Sequence, residues 1–590
     1  MYMNNKLFYG DNLDVLRKYI KDGSIDLCYI DPPFNSKRNY NQIYLNQGKE
    51  DSAQAQAFID TWNWAEMAED EYNEILLNEK GLLTKQTVLL IEGLQKVLGK
   101  GSLLAYLVSM TLRISEIHRV LKDTGSFYLH CDPTASHYLK LVCDGIFCTN
   151  GGDYKNEIVW RRTGQHNKVK RYAPIHDVIF YYTKSSKYVW NYPKKPFMKG
   201  HISSNFVHTE LGYKTNYYGN VLTGSGIRNG DSGKKWKGFD PTAKGRHWAI
   251  PGALLNDLDE DISELSQHEK LDYLYNLGMI TIKEGEAWPI YERYLNDNDG
   301  QTLSDIWAFQ PYTNGLVFNS DDGIDEDVRW LSAQDSERLG YPTQKPEGLL
   351  KRIINASTNE GDTILDAYCG CGTTVTVAQE LKRNWIGIDI TYQSISLILK
   401  RLHDSYGKKI SGDIELNGVP KDFESAVALA NKQDDRTRKE FEKWCVLTYS
   451  DNRAMINEKK GKDFGIDGVA FIPETNQKGD NELMPVLFSV KSDLRPHSSY
   501  VRDLVGTMTR EGAVIGVMIL LHEPTRDMIN EAKQAGKYKN KLFNMEFEKV
   551  KIVTVNEILN GQNLVLPQMP KVLKEAKRKP DKDGQRKLDF

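Results

Sequence analysis

With 590 residues and 67.4 kDa, the chain is long enough for three or four folding units at about 150 residues each. A composition of 40% hydrophobic, 10% aromatic and 27% charged residues supports several buried cores and excludes wholesale disorder. The formal net charge of −3 excludes a uniformly basic surface but leaves room for a local positive stripe that neutralises phosphates.

In chain order, KLFYGD (6–11) predicts a strand, NLDVLRKYI (12–20) a helix by its apolar spacing, and DLCYI (26–30) a buried strand ending at Asp31-Pro32-Pro33-Phe34. From Lys155 to Gly200, eleven Lys and Arg stand against two acids, interleaved with Trp160, Tyr172, Tyr181, Tyr182 and Trp190. That stretch fits a phosphate-tracking surface and equally a solvated basic face over core aromatics. Residues 191–335 are rich in Gly, Asn, Asp and aromatics with weak periodicity, and predict an inserted, loop-rich domain. Then GLLKRIINAS predicts a helix, DTILDAY a buried strand, CGCGTT a tight turn, VTVAQELKR a helix and NWIGIDI a strand. Such alternation predicts a parallel α/β sheet with active residues at the strand ends, its two halves far apart in the chain. A linker over 406–435, a helix about 422–449, strands at GVAFI and VLFSV and the apolar run 513–521 predict a third unit, before a basic tail at 571–590. The 513–521 run falls well short of the ~20 residues that cross a bilayer. The N-terminus MYMNNKLFYGDN lacks a signal-peptide pattern, so a cytoplasmic protein without membrane contact is expected. Seven cysteines without a CxxC pair fit reduced thiols.

The turn Asp366-Ala-Tyr-Cys-Gly370-Cys-Gly372-Thr-Thr374 lets backbone approach a ligand without Cβ clashes, and Asp389 ends the next strand where an acid commonly takes ribose hydroxyls. The pattern lacks GxGxxG, so a dinucleotide is not the natural ligand. In Asp31-Pro32-Pro33-Phe34 the prolines remove two N–H donors and leave rigid carbonyl acceptors. With a carboxylate and an aromatic face beside them, they describe a pocket for an exocyclic amine on a planar base.

DPPF after DLCYI, Gly10-Asp11-Asn12 upstream and DAYCGCGTT downstream resemble the N6-adenine DNA methyltransferases that use S-adenosylmethionine. So do GSFYLHCDPTASHYLK, NEIVWRR, HDVIFYYTK, YPTQKPEGLLKRII and LKRNWIGIDI, and the order of motifs is that of the permuted β-class, over about residues 6–405. The resemblance implies a circularly permuted, Rossmann-like α/β methyltransferase fold, with a catalytic half at 1–190, a target-recognition domain at 191–335 and a cofactor half at 336–405. It implies Asp31, Pro32, Pro33 and Phe34 as the catalytic motif. The implied cofactor set is Asp11, Thr343, Gln344, Lys345, Pro346, Asp366, Tyr368, Gly370, Gly372, Thr373 and Asp389. Tyr368 and Cys371 depart from the family's usual phenylalanine and serine. The implied reaction is methylation of adenine N6 on a base flipped from double-stranded DNA, with Tyr40 and the basic segment 155–200 as candidates for holding the strand. Cytosine N4 methylation uses the same geometry, and Asp rather than Ser before Pro-Pro favours adenine. A nuclease whose methyltransferase half serves only recognition is the alternative of a different class. A homodimer is compatible with any of these.

Within a domain expected over 436–570, about residues 436–545 resemble the PD-(D/E)xK fold of restriction endonucleases, the Mrr-like branch in particular. KKGKDFGIDGVAF places Asp467 before a strand, PVLFSVKSD places Lys491 at the end of the next, and Glu442 lies on a preceding helix. The resemblance implies Mg²⁺ held through Asp467, but Ser489 stands where an acid or Gln is usual, and serine is a poor ligand for that ion.

Overall fold

The computed structural model describes residues 5–569 and 576, except 34–37, 47–48, 61, 63, 165–169, 211, 218, 256–257, 259–260, 296–298, 311–314, 333, 342, 432–434, 458–464 and 476–480. It divides into two compact units: Met1–Asn191, Asp305–Ala308 and Asp327–Phe590 form one, Tyr192–Ser304 and Phe309–Glu326 the other.

A nine-stranded sheet organises the first unit. In chain order its strands are β1 (Asn5–Tyr9), β2 (Ile25–Ile30), β3 (Leu121–Cys131), β4 (Asp153–Arg161), β5 (His176–Thr183), β6 (Ile306–Trp307), β7 (Thr363–Asp366), β8 (Asn384–Asp389) and β9 (Ile414–Asn417). In space they run β6-β4-β5-β3-β2-β7-β8-β1-β9. The stretch from β3 to β9 is parallel, and β5 runs antiparallel to β3 and β4. Leu27 therefore pairs with Ile364 across the whole insertion.

All six residues of β2 are buried, as a central strand covered on both faces requires. The two-residue period sorts them: Cys28 and Ile30 pack with Leu365 beneath α1 (Asn12–Tyr19) and α2 (Ser102–Val120). Leu27 and Tyr29 face the opposite core, shared with α3 (Glu347–Ser357), α4 (Thr373–Glu380) and α5 (Tyr392–Tyr406).

Three expectations are corrected here. The linker expected over 406–435 instead supplies β9, which pairs with β1 at the sheet edge, and α6 (Phe423–Ala430). One helix over 422–449 becomes two, because α6 ends at Asn431 and α7 (Asp435–Tyr449) starts anew. The insertion is also narrower than 191–335: β6 returns to the sheet beside β4, burying Trp307, and Val328 O accepts a hydrogen bond from Trp160 Nε1 at 2.7 Å. A two-residue strand carries too little periodicity to be read from sequence. Of the aromatics in the basic segment, Trp160, Tyr181 and Tyr182 are core residues, Tyr181 stacking on Tyr128 at 4.5 Å, whereas Tyr172 is fully exposed.

The C-terminal part has its own sheet, β10-β11-β12-β13-β14, from Met455–Ile456, Gly468–Thr475, Asn481–Lys491, Ile515–Leu520 and Val550–Thr554. It is packed into the first unit through α7, whose Phe441, Trp444 and Val446 share a core with Ile395 and Leu402 of α5. At the start of α5, the Tyr392 N–H donates to Glu440 Oε2 at 2.7 Å. The second unit holds a four-stranded sheet and a helix, Gln267–Asn276, closed by a Ser266–Glu269 capping box, around Trp236, Trp248, Leu271 and Tyr291. No described helix is long and apolar enough to cross a membrane.

Candidate active site

The C-terminal ends of β2, β7, β8 and β1 lie side by side, the rim at which open parallel sheets receive ligands. Four carboxylates mark it: Asp31 after β2, Asp366 ending β7, Asp389 ending β8 and Asp11 after β1.

Between β7 and α4 the glycine turn is fixed from three sides. Gly370 and Gly372 sit at φ +48° and +74°, and a Cβ on Gly372 would stand 2.8 Å from Ile398 Cγ1, so both shape and packing call for glycine there. From β8, Asp389 accepts the Gly370 N–H (2.9 Å), the Thr391 N–H (2.9 Å) and the Thr391 hydroxyl (3.0 Å). From α5, Arg401 donates to Cys371 O (3.2 Å) and Thr373 Oγ1 (3.1 Å) and pairs with Glu347 at 3.0 Å. From α1, Asn12 Nδ2 donates to Ala367 O at 2.9 Å, and Arg113 Nε on α2 holds Asn12 Oδ1 at 2.7 Å. Burial pushes the Asp366 carboxyl up to about 7, against hydrogen bonds from Thr374 and the Tyr368 N–H and with the nearby charges of Asp31 and Asp389 adding to the rise. Burial likewise raises Asp389 to about 6 despite its donors.

The expected cofactor residues divide by what they touch. Asp11 caps α1 through Oδ1, which accepts the Leu13 and Asp14 N–H groups, while Oδ2 meets Arg113 Nη2 at 3.1 Å. Gln344 holds its own loop, accepting from the Leu339 N–H and donating to Glu337 O, both at 2.8 Å. Thr343 is exposed at φ +62°, Pro346 caps α3, and Thr373 Oγ1 lies 3.4 Å from Lys345 O. Tyr368 turns its hydroxyl to Met110 Sδ at 3.5 Å.

Lys345 points elsewhere. Its ammonium pairs with Asp31 Oδ2, while Asp31 Oδ1 is buried without a hydrogen-bond partner among the described residues. Beneath them runs a polar chain that sequence reasoning missed. Tyr29 Oη lies 2.9 Å from His130 Nδ1, His130 Nε2 lies 3.3 Å from Asp177 Oδ2, and Arg162 pairs with Asp177 Oδ1 at 3.1 Å. Burial would raise the Asp177 carboxyl, but the His130 hydrogen bond and the charges of His130, Lys345 and Arg162 hold it below its ordinary value. His130 and Asp177 both lie in runs buried at every position, GSFYLHC and DVIFYYT, where no alternation marks which face a side chain takes. Pro32 is buried and Pro33 half-buried, whereas Phe34 and the side chain of Tyr40 lie outside the described part of the structure.

The four C-terminal candidates lie around one corner of their sheet. Asp467 accepts the Val490 N–H at 2.6 Å, and the Glu442 and Asp467 charges add to burial in raising the Cys445 thiol. Lys491 ends β12 with its ammonium 5.6 Å from the Tyr500 ring, and Ser489 is buried. Among the described residues no three His, Cys, Asp or Glu side chains converge to hold a metal ion, and 458–464, beside Asp467, lie outside them.

Compared with known proteins, the chain is similar to type II methyltransferase M.EcaI of Enterobacter cloacae, at 29% identity over 327 residues, covering 55% of this chain and 63% of that protein. M.HpaI of Haemophilus parainfluenzae is 31% identical over 28% of this chain and 46% of its own length. The DNA adenine methyltransferase YhdJ of Escherichia coli K12 is 53% identical over 75 residues, 13% of this chain and 24% of that protein. The chain thus spans less than two thirds of these relatives. The family model described as DNA methylase (N6_N4_Mtase) matches residues 25–400, taking in β2, the Asp31 corner, the glycine turn and Asp389, and the chain belongs to that family.

Proposed function

We propose that this chain is a site-specific methyltransferase that moves a methyl group from S-adenosylmethionine to N6 of an adenine flipped out of double-stranded DNA, on a circularly permuted methyltransferase fold. The observation that carries this is the neighbouring placement of two unlike strand ends. One is a glycine turn beside buried Asp366 and half-buried Asp389, and the other is a proline corner whose Asp31 Oδ1 has no partner among the described residues. The first fits a nucleoside cofactor: backbone free of Cβ at Gly370 and Gly372, with Asp389 beside it to meet ribose hydroxyls.

Bound there, S-adenosylmethionine supplies a methyl already activated by its sulfonium. The protein aligns an amine and accepts the charge that develops on nitrogen. Asp31 Oδ1 and a proline carbonyl take the two amine hydrogens, turning the nitrogen lone pair towards the methyl carbon. As the new N–C bond forms, the C–S bond breaks with its electron pair going to sulfur, and the alkylated nitrogen then releases one proton to Asp31 or water. An amine stacked in a duplex is out of reach, so the base leaves the helix first.

The test is mass spectrometry of nucleosides from unmethylated DNA incubated with the protein and S-adenosylmethionine in EDTA. N6-methyladenine that vanishes with Asp31→Ala is the expected result. N4-methylcytosine would replace adenine by cytosine as target, and neither product in the presence of intact cofactor binding would overturn the reading.

A further inference from the structure

Lys345 belongs by its sequence setting to the cofactor pocket, but its side chain does something else. Lys345 is buried, at 7% exposure for the whole residue, and a cation that deep persists only against a carboxylate. The structure gives it Asp31 Oδ2 from one side, while Asp177, itself tied to His130 and Arg162, contributes its charge from another. Holding Asp31 through one oxygen has a geometric result: the plane of the carboxylate is set, and Oδ1 is left buried with no donor among the described residues. Most buried polar atoms are hydrogen-bonded, and an exception calls for an explanation, a catalytic role among them.

We propose that Lys345 is a positioning residue: it clamps Asp31 through Oδ2 so that Oδ1 alone faces the incoming amine of the target base. This rests on the methyltransferase reading above. The clamp also separates charges in a useful way. During transfer the nitrogen becomes cationic on the Oδ1 side while the ammonium stays on the Oδ2 side, so the carboxylate lies between two positive groups and screens them from each other. Without Lys345, Asp31 can rotate and offer either oxygen, and the amine is held in several orientations of which few aim its lone pair at the methyl.

The experiment uses the full chain with Lys345→Met, Lys345→Arg and Lys345→Ala, read by single-turnover methylation of duplex DNA and by separate titrations of S-adenosylmethionine and of DNA. Expected is a methylation rate lowered by about 100-fold in Lys345→Met, with both dissociation constants within about threefold of the parent. Lys345→Arg should recover much of the rate, and added methylammonium or ethylammonium should raise the rate of Lys345→Ala, which a merely structural role would not allow. A Lys345→Met rate within threefold of the parent overturns the clamp. Cofactor affinity lost in step with the rate also overturns it and returns Lys345 to the cofactor pocket. Should Lys345→Met fail to fold, the absence of amine rescue in folded Lys345→Ala is equally decisive against it. Asp31→Ala run alongside separates the two levels: methylation surviving that change brings down the methyltransferase site itself, whereas methylation abolished there but intact in Lys345→Met brings down the clamp alone.

Discussion

Asp31 and Asp389 end strands two places apart in one sheet, yet the chain treats them in opposite ways. Asp389 is braced by its own neighbourhood, with three donors from Gly370 and Thr391 on its two oxygens, and so would meet a ribose hydroxyl from a fixed position. Asp31 is held by one oxygen and left open at the other. A cofactor site gains from a rigid cradle that exists before binding, whereas an acceptor for a reacting amine must keep a lone pair in reserve. The same side chain serves both ends because the groups that hold it differ, backbone and hydroxyl donors at Asp389 and the Lys345 ammonium at Asp31.

That contrast can be broken at either end. The largest effect is expected from Asp31→Asn, which replaces the anion by an amide: methyl transfer should fall by about 10³-fold while cofactor titration changes by no more than a few fold. Equal losses in both measurements would erase the distinction between the two corners. Next comes Gly372→Ala on the cradle side, where φ +74° and the 2.8 Å approach to Ile398 make any side chain strained. About 1–3 kcal/mol is expected, read as a lower Tm and roughly tenfold weaker cofactor binding, and wild-type affinity would mean that the turn is not the cradle.

A smaller, pH-dependent effect concerns Asp366. Its folded carboxyl is pushed up to about 7, against roughly 4 in an unfolded chain. Between those values the folded state keeps a proton that the unfolded state has lost, so this group withdraws stability as pH rises from about 4 to about 7 and no further above it. Asp366→Asn should therefore melt higher than the parent at pH 8, with the gap closing towards pH 4, as scanning calorimetry without cofactor would report. A gap that widens at low pH would reverse the sign. The smallest effect is expected from Tyr368→Phe, which removes the hydroxyl that faces Met110 Sδ and Asn12. Stability should fall by about 0.5–1.5 kcal/mol with cofactor affinity unchanged, and a loss of affinity would show that the hydroxyl meets the ligand.

Much of this was legible because two signals are local. The runs IDLCYI and TILD announce buried strands by composition, and Gly370 and Gly372 announce a turn that other residues strain to make. Chain order alone, with the Asp31 corner ahead of the glycine turn, foretold two distant segments in one sheet. Partnerships between distant side chains were not legible. Nothing in SMTLRISE marks Arg113 as the anchor of Asn12, and nothing in FEKWC marks the preceding Glu440 as the cap of α5. Lys345 was assigned by its neighbours in sequence, and only three-dimensional proximity attaches it to Asp31. The strand β9 escaped because it is short, half-polar and lies at a sheet edge, where burial imposes little alternation.

The pairing of β1 with β8 and β9 also imposes an order on synthesis. Both edges of β1 belong to partners that the ribosome makes some 380 residues later, from Tyr9 to Asp389. At 5–20 residues per second the first strand waits on the order of 20–80 s for a neighbour. Throughout that interval an apolar strand has both ladders open, the situation in which strands recruit other chains. A nascent chain of this topology depends on chaperones, or on its own β2–β3 pair, to keep that strand covered until the sheet can close around it.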